Sequence, residues 1–276
     1  MCILFIGLRK HPHYSLIVAA NRDEYFSRPS ETMHHWPDHP QIFAGRDQLK
    51  GGSWLGINKS GQFCAVTNLR TGRKPQPQAR SRGQLVTDYL TRVTQSSPGK
   101  HIEIERFKSW LSNEFGYYAP FNLVFGDAEA LWVFSSQNTN FTRLAPGYHS
   151  ISNGEMDQVW PKMSLGVRRM TELIESSQSS PLALEPLQDL MTDTTQANTQ
   201  TLPDTGIGEQ KERLLSSIFI SGQEYGTRTT TLIRSDDSRF DIMETNYGPL
   251  GLHKSISRFR IPIQKTSLQP SKSKRS

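Results

Sequence analysis

The sequence predicts an α+β protein built as a four-layer αββα sandwich. Cys2–Leu8 and residues 16–20 are apolar at every position. That is the pattern of strands covered on both faces, because a strand with one wet face alternates. The elements run as strands, helices, strands, helices, strands. Two sheets packed face to face and flanked by helices cover such strands on both sides.

Taken in order, His11-Pro12 turns the first apolar strand into the second and makes a hairpin. Asn21-Arg22-Asp23-Glu24 follows directly. Three charged residues at the end of a core strand read in two ways. They form a solvated strand end with an Arg–Asp pair, or they set Arg22 and Asp23 beside Cys2, the first residue of the neighbouring strand. Residues 26–50 form a polar stretch broken by Pro29, Pro37 and Pro40, with His34, His35 and His39 inside it. Imidazoles this close in sequence are able to ligate a metal or a haem iron. Without a partner Cys or carboxylate pattern, the cluster reads as surface.

Gly51-Gly52-Ser53-Trp54-Leu55-Gly56-Ile57-Asn58 leads into the turn Asn58-Lys59-Ser60-Gly61, and residues 62–68 return as a strand. The paired glycines permit close backbone approach, so Gly52 is a candidate site wall. Neither glycine pattern of the phosphate-binding folds occurs. Asn68 ends its strand just after Thr67, a second polar strand end. Ser81 caps a helix over residues 83–95, with Leu85, Val86, Tyr89, Leu90 and Val93 on one face. Ser97-Pro98-Gly99 breaks it, and residues 102–115 make a second helix with Ile104, Phe107, Trp110 and Leu111. Strands follow over 121–126, 131–135 and 141–144, then a loop over 148–154. Helices at 161–176 and 182–191 lead to a mobile loop over 192–207, which is poor in apolar residues. The chain closes with a short strand at 217–221 and a hairpin of 225–234 with 239–246. Residues 1–247 read as one domain, and 248–276 as a basic, largely disordered tail.

Composition bounds the function. The chain has 276 residues, 35% hydrophobic and 21% charged, which suits a soluble globular protein with polar loops. No run approaches the length of a membrane-spanning helix, so no integral membrane association is expected. The apolar start is too short for a signal segment and has no basic stretch before it. Two cysteines, Cys2 and Cys64, make no disulfide framework and fit a reduced, cytoplasmic setting. No CxxC occurs, so c-type haem attachment and common zinc knuckles are excluded, and no metal site is assigned.

The net charge of +6 is unevenly spread. Residues 245–276 hold seven Lys and Arg and no acid, which leaves 25 basic against 26 acidic residues elsewhere. Residues 69–82 add five basic residues without an acid. Neither stretch interleaves aromatics or shows a helical face, so both read as solvated surface and no nucleic-acid partner is expected.

Cys2 carries the chemistry. Once Met1 is removed, its thiol and a free α-amine share one carbon. An amine with an ordinary pKa of about 7.7–8.0 can take the proton of its own side chain.

Met1-Cys2, Asn21-Arg22-Asp23-Glu24, Gly51-Gly52-Ser53-Trp54-Leu55-Gly56, Thr67-Asn68, Ile151-Ser152-Asn153, Trp160-Pro161-Lys162 and Tyr225-Gly226-Thr227-Arg228-Thr229 together resemble the NRDE-motif family, that of transport and Golgi organization protein 2. The resemblance runs from residue 1 to about residue 247. It implies an Ntn-hydrolase-like αββα fold, similar in layout to cysteine amidohydrolases whose nucleophile is a Cys exposed by Met removal. Carried onto this chain, the catalytic positions are Cys2, Arg22, Asp23, Asn68, Asn153 and Arg228. Arg22 and Asp23 are adjacent here, a spacing that differs from those enzymes. Cys2 would be the nucleophile, Asp23 would hold its amine, and Arg22 or Arg228 would favour the thiolate. Asn68 or Asn153 would donate to an oxyanion, a contact worth about 3 kcal/mol. Asn21, Glu24, Gly52, Trp54, Thr227, His34 and His35 would complete a ligand pocket.

The same resemblance implies intracellular haem trafficking, with haem as cargo and a haemoprotein as acceptor, Cys2 or the His34/His35 pair being the candidate iron ligands. Handling of an acyl compound is the other implied role. The primary expectation is therefore a haem chaperone with its pocket around Cys2. A cysteine hydrolase of amides or thioesters is the alternative.

Overall fold

A computed structural model describes residues 2–71, 76, 78–93, 100–156 and 158–264. Two antiparallel sheets pack face to face. The first has six strands in the order β10-β1-β2-β11-β12-β13: β1 (Cys2–Leu8), β2 (Leu16–Tyr25), β10 (Gly147–Ile151), β11 (Tyr225–Ser235), β12 (Arg239–Tyr247) and β13 (His253–Pro262). The second has seven in sequence order: β3 (Ser30–His35), β4 (Ile42–Asp47), β5 (Leu55–Asn58), β6 (Phe63–Asn68), β7 (Phe121–Gly126), β8 (Leu131–Ser135) and β9 (Phe141–Arg143). The helices are α1 (Gly83–Arg92), α2 (Lys100–Glu114), α3 (Pro161–Ser176), α4 (Glu185–Met191) and the short α5 (Glu209–Leu214).

The unbroken apolar run of β1 now has a physical reason. Leu4, Ile6 and Leu8 pack between the sheets with Val18, Ile57, Phe63, Val124 and Ile242. Ile3 and Phe5 point the other way, onto α3 and α4, with Ile17, Met163, Met170 and Leu187. On the far side, α1 and α2 cover the second sheet through Leu85, Tyr89, Phe107 and Phe125. The result is the four-layer αββα sandwich expected from the sequence.

Several elements differ from expectation. Residues 26–50 are not one polar loop but hold β3 and β4, which pair with a register shift between Glu31 and His34. Residues 147–151 form β10, the neighbour of β1, where a loop was expected. Residues 217–221 form no strand. Their N–H groups are taken singly instead: Phe219 donates to Asp193 O and Ile220 to Thr227 Oγ1, both at 2.9 Å or less. The disordered tail expected from residue 248 does not begin there. β13 pairs with β12 from Tyr247↔His253 to Arg239↔Pro262, so the folded body reaches Pro262. Its exposed side chains hid it from a reading based on apolar pattern. Residues 94, 95 and 265–276 lie outside the described residues. Among the described residues, no helix is long and apolar enough to cross a membrane.

Candidate functional site

The open end of β2 organises the site. Cys2 pairs with Arg22 across the β1–β2 ladder. On the other side of β1, Leu4 pairs with Ile151, so Asn153 follows two residues past the end of that ladder, towards the level of Cys2. β11 meets β2 with Thr227↔Asp23 and then Thr229↔Arg22, so Arg228 is the extra residue of a bulge. Four neighbouring strands, β10, β1, β2 and β11, thus bring their ends to one edge of the sandwich.

Pleating sends Arg22 and Asp23 to opposite faces. Arg22 is buried, and its guanidinium lies 4.3 Å from the ring centroid of Trp54. One nitrogen donates to Asp47 Oδ2 at 3.3 Å, and Arg28 Nε donates to the same oxygen at 2.6 Å. Asp47 Oδ1 accepts the backbone N–H groups of Leu49 and Lys50. One carboxylate therefore fixes two arginines and the Gly51-Gly52 turn. Gly52 is required by close approach: a Cβ there would stand 2.5 Å from the carbonyl carbon of Gly83, at the start of α1.

Asp23 is buried on the other face and accepts a 2.7 Å hydrogen bond from Thr227 Oγ1. Burial raises its pKa, opposed by the positive charges of Lys162 and Arg70 and by the Thr227 hydroxyl. Arg70 is itself buried. It pairs with Glu212 at 2.9 Å and donates to Asn153 Oδ1 at 3.3 Å. Asn153 Nδ2 in turn donates to the carbonyl of Asn68 at 3.0 Å.

Beside these groups lies a cleft of about 250 Å³. Its walls include Arg22, Asp23, Glu24, Gly52, Trp54 and Asn68, six of the residues named from the sequence. Arg28, Asp47, Lys50, Arg80 and Arg82 also line it. The Asn68 side chain makes no hydrogen bond among the described residues. A wider cleft of about 1220 Å³ adjoins it, sharing Gln76, Ala79 and Ala119.

The remaining named residues stand elsewhere. Asn21 is buried and fully engaged by the chain: it donates to Met191 O and Ile218 O and accepts from Thr230 Oγ1 at 2.6 Å. It ties β2 to α4 and does not face the cleft. Arg228 donates to the carbonyls of Tyr25 and Arg28, and its pKa is lowered by burial and by the charge of Arg22. It braces the β2–β3 connection outside the cleft lining. His34 pairs with Glu31 at 3.4 Å and His35 stacks edge-on against Phe43, both on the edge strand β3. Neither lines the cleft. Among the described residues, no three His, Cys, Asp or Glu side chains are grouped to hold a metal ion.

Sequence reading missed Asp47, Arg28, Arg70 and Glu212. Arg70 and Glu212 lie 142 positions apart, so no local pattern joins them. Asp47 had a usable signal, as a charged residue closing a strand just before the paired glycines.

The profile of the family described as Transport and Golgi organisation 2 matches residues 1–249. The chain is 32% identical over 257 residues to the Transport and Golgi organization protein 2 homolog of Homo sapiens, covering 86% of this chain and 89% of that protein. It is 30% identical over 256 residues to the Transport and Golgi organization 2 homolog of Mus musculus, with the same coverage of each. Among solved structures, a mutant conjugated bile acid hydrolase from Clostridium perfringens superposes with a TM-score of 0.50 at 9% identity, over 94% of this chain and 92% of that one. That likeness is one of fold, and the fold is Ntn-hydrolase-like. By the family profile and by relatives spanning most of its length, this chain belongs to the Transport and Golgi organisation 2 family.

Proposed function

We propose that this protein is an N-terminal-nucleophile cysteine hydrolase acting on a polar amide or thioester. The observation that carries this reading is the pairing of Cys2 with Arg22 at the rim of a cleft lined by Asp23 and Asn68. With Met1 removed, the Cys2 α-amine takes the thiol proton, and the thiolate attacks the acyl carbon. The positive charge of Arg22 favours the thiolate. Asn68, whose amide makes no hydrogen bond among the described residues, donates to the oxyanion. The leaving amine or thiol takes the proton back, and water hydrolyses the acyl-enzyme by the same base. Asn153 acts one step back, holding the Asn68 backbone and Arg70.

A haem cargo draws on family resemblance. The charged lining of the cleft gives a flat apolar macrocycle little to pack against, and His34 and His35 stand outside it. The site's chemistry therefore supports the hydrolase reading over the haem chaperone.

The test is turnover of a panel of chromogenic amides and thioesters by the full chain, run beside a haem titration followed at the Soret band. The expected result is hydrolysis abolished by Cys2→Ala and slowed about 10²-fold by Asn68→Ala. Saturable haem binding lost in Cys2→Ala, with no turnover, would replace this reading with the cargo one.

A further inference from the structure

The turn from β12 into β13 displays apolar side chains to solvent. Leu250 is 65% exposed, Leu252 68% and Ile256 47%, three large apolar residues within seven positions. Single exposed leucines are ordinary, whereas a cluster marks an interaction surface. The display is rigid. Leu250 holds a left-handed backbone conformation, φ 57° and ψ 24°, which is costly for any residue bearing a Cβ. Its N–H donates to Gly222 O at 2.9 Å, and Gly248 N–H donates to Leu252 O at 2.7 Å. The turn is thus clamped with its leucines outward.

The segment that forms this tip and strand β13 carries only basic charge of its own. β13 continues through Lys254, Arg258 and Arg260, and no acid occurs in residues 245–276. Ile256, Arg258 and Arg260 pair with Thr245, Met243 and Asp241, so the three share one face of the strand. Lys254 makes no ion pair among the described residues. Arg258 and Arg260 pair with Glu185 and Asp241 while staying 60% and 71% exposed. The sequence beyond adds Lys265, Lys272, Lys274 and Arg275.

We propose that the β12–β13 tip is a docking surface for an anionic lipid membrane. Leu250 and Leu252 enter the headgroup layer, and the basic face of β13 meets the lipid phosphates. Apolar wedge and positive collar are the two components of peripheral membrane binding, and they act together. A nucleic acid would use the charge and leave the leucines wet. A second copy of the chain, docking through the same surface, would bring like charges together. The surface begins where the family match ends, at residue 249, so it is argued for this chain alone.

The test is co-sedimentation of the full chain with vesicles of phosphatidylcholine alone and of phosphatidylcholine with phosphatidylserine. Binding is expected only to the anionic vesicles, weakening as salt rises. Leu250→Ser with Leu252→Ser is expected to weaken it about tenfold or more. Lys254→Glu should weaken it further. Thermal unfolding of each variant checks that the fold is intact. No binding to anionic vesicles would overturn the proposal. So would binding that survives the leucine substitutions and is lost on deleting residues 265–276, because the tail would then act alone.

Discussion

A carboxyl group at position 244 lies wholly between the two sheets. Its Oε1 accepts the N–H of Met33 at 3.0 Å, at the register shift where β3 slips against β4. The glutamate thus satisfies a backbone donor at an irregular stretch of the edge strand. Burial raises its pKa to about 7 from an ordinary 4.5, against the lowering pull of Met33, Asn246 and Arg22. Below pH 4.5 both folded and unfolded chains hold the proton. Between 4.5 and 7 only the folded chain does, so this group's contribution to stability falls as pH rises through that window. The full loss above pH 7 is about 3 kcal/mol. Asp23, also raised by burial, tilts stability in the same sense. Urea unfolding from pH 5 to 8 should therefore show wild-type stability declining, and Glu244→Gln should flatten the decline. A variant slope equal to that of wild type would refute the assignment. Asn21 gives a second residue-scale prediction. Replacing it with Ala strands two buried carbonyls, at a cost of about 2–3 kcal/mol, without changing the cleft lining. A large loss of ligand affinity at unchanged stability would return Asn21 to the site. From sequence, Arg22, Asp23, Gly52, Trp54 and Asn68 were legible because charged or amide groups at the ends of apolar strands are out of place. Which face each residue took was not legible. Asn21 and Asp23 turned to the helices and Arg22 to the opposite sheet, as pleating from Ala20 onward requires.

Helix α3 meets strand β1 at two tight points, Gly7 under Ile174 and Gly166 over Phe5. A Cβ on Gly166 would stand 1.9 Å from the tip of the Phe5 ring, so the helix lies on that ring only because position 166 has no side chain. Gly166→Ala gains helix propensity of about 1 kcal/mol, yet forces the helix off the strand that carries Cys2. A net loss of about 2 kcal/mol is expected by thermal or denaturant unfolding. A stabilised variant would mean that α3 moves freely on the sheet. At this scale the strongest patterns were the readable ones. The apolar runs of β1 and β2 and the amphipathic α1 and α3 followed their sequences. Of the strands that escaped, β4 lies inside its sheet and the other three are edges. β3 carries histidines, β10 is half-buried through Tyr148-His149-Ser150, and β13 is mostly exposed. An edge strand is held by its ladder on one side, so its side chains need not show the pattern of a core strand.

Across the whole molecule, the basic stretch of residues 69–82 has a role that composition alone did not give. Arg70 is buried against Glu212, while Arg80 and Arg82 line the cleft, so part of the charge serves the site instead of solvent. The layer order followed from two apolar strands, whereas the meeting of Arg70, Asn153, Glu212 and Asp23 depends on chain separations that no local pattern encodes. The chain's two cysteines make the account testable. Cys64 is buried in the layer under α1, and burial pushes its thiol well above the ordinary range, so it should be inert. The most direct measurement is the intact mass of the purified full chain before and after a limiting dose of an alkylating probe, with peptide mapping of the label. The account predicts a chain without Met1 and one label, on Cys2. Retention of Met1, or labelling of Cys2 no faster than Cys64, would contradict it.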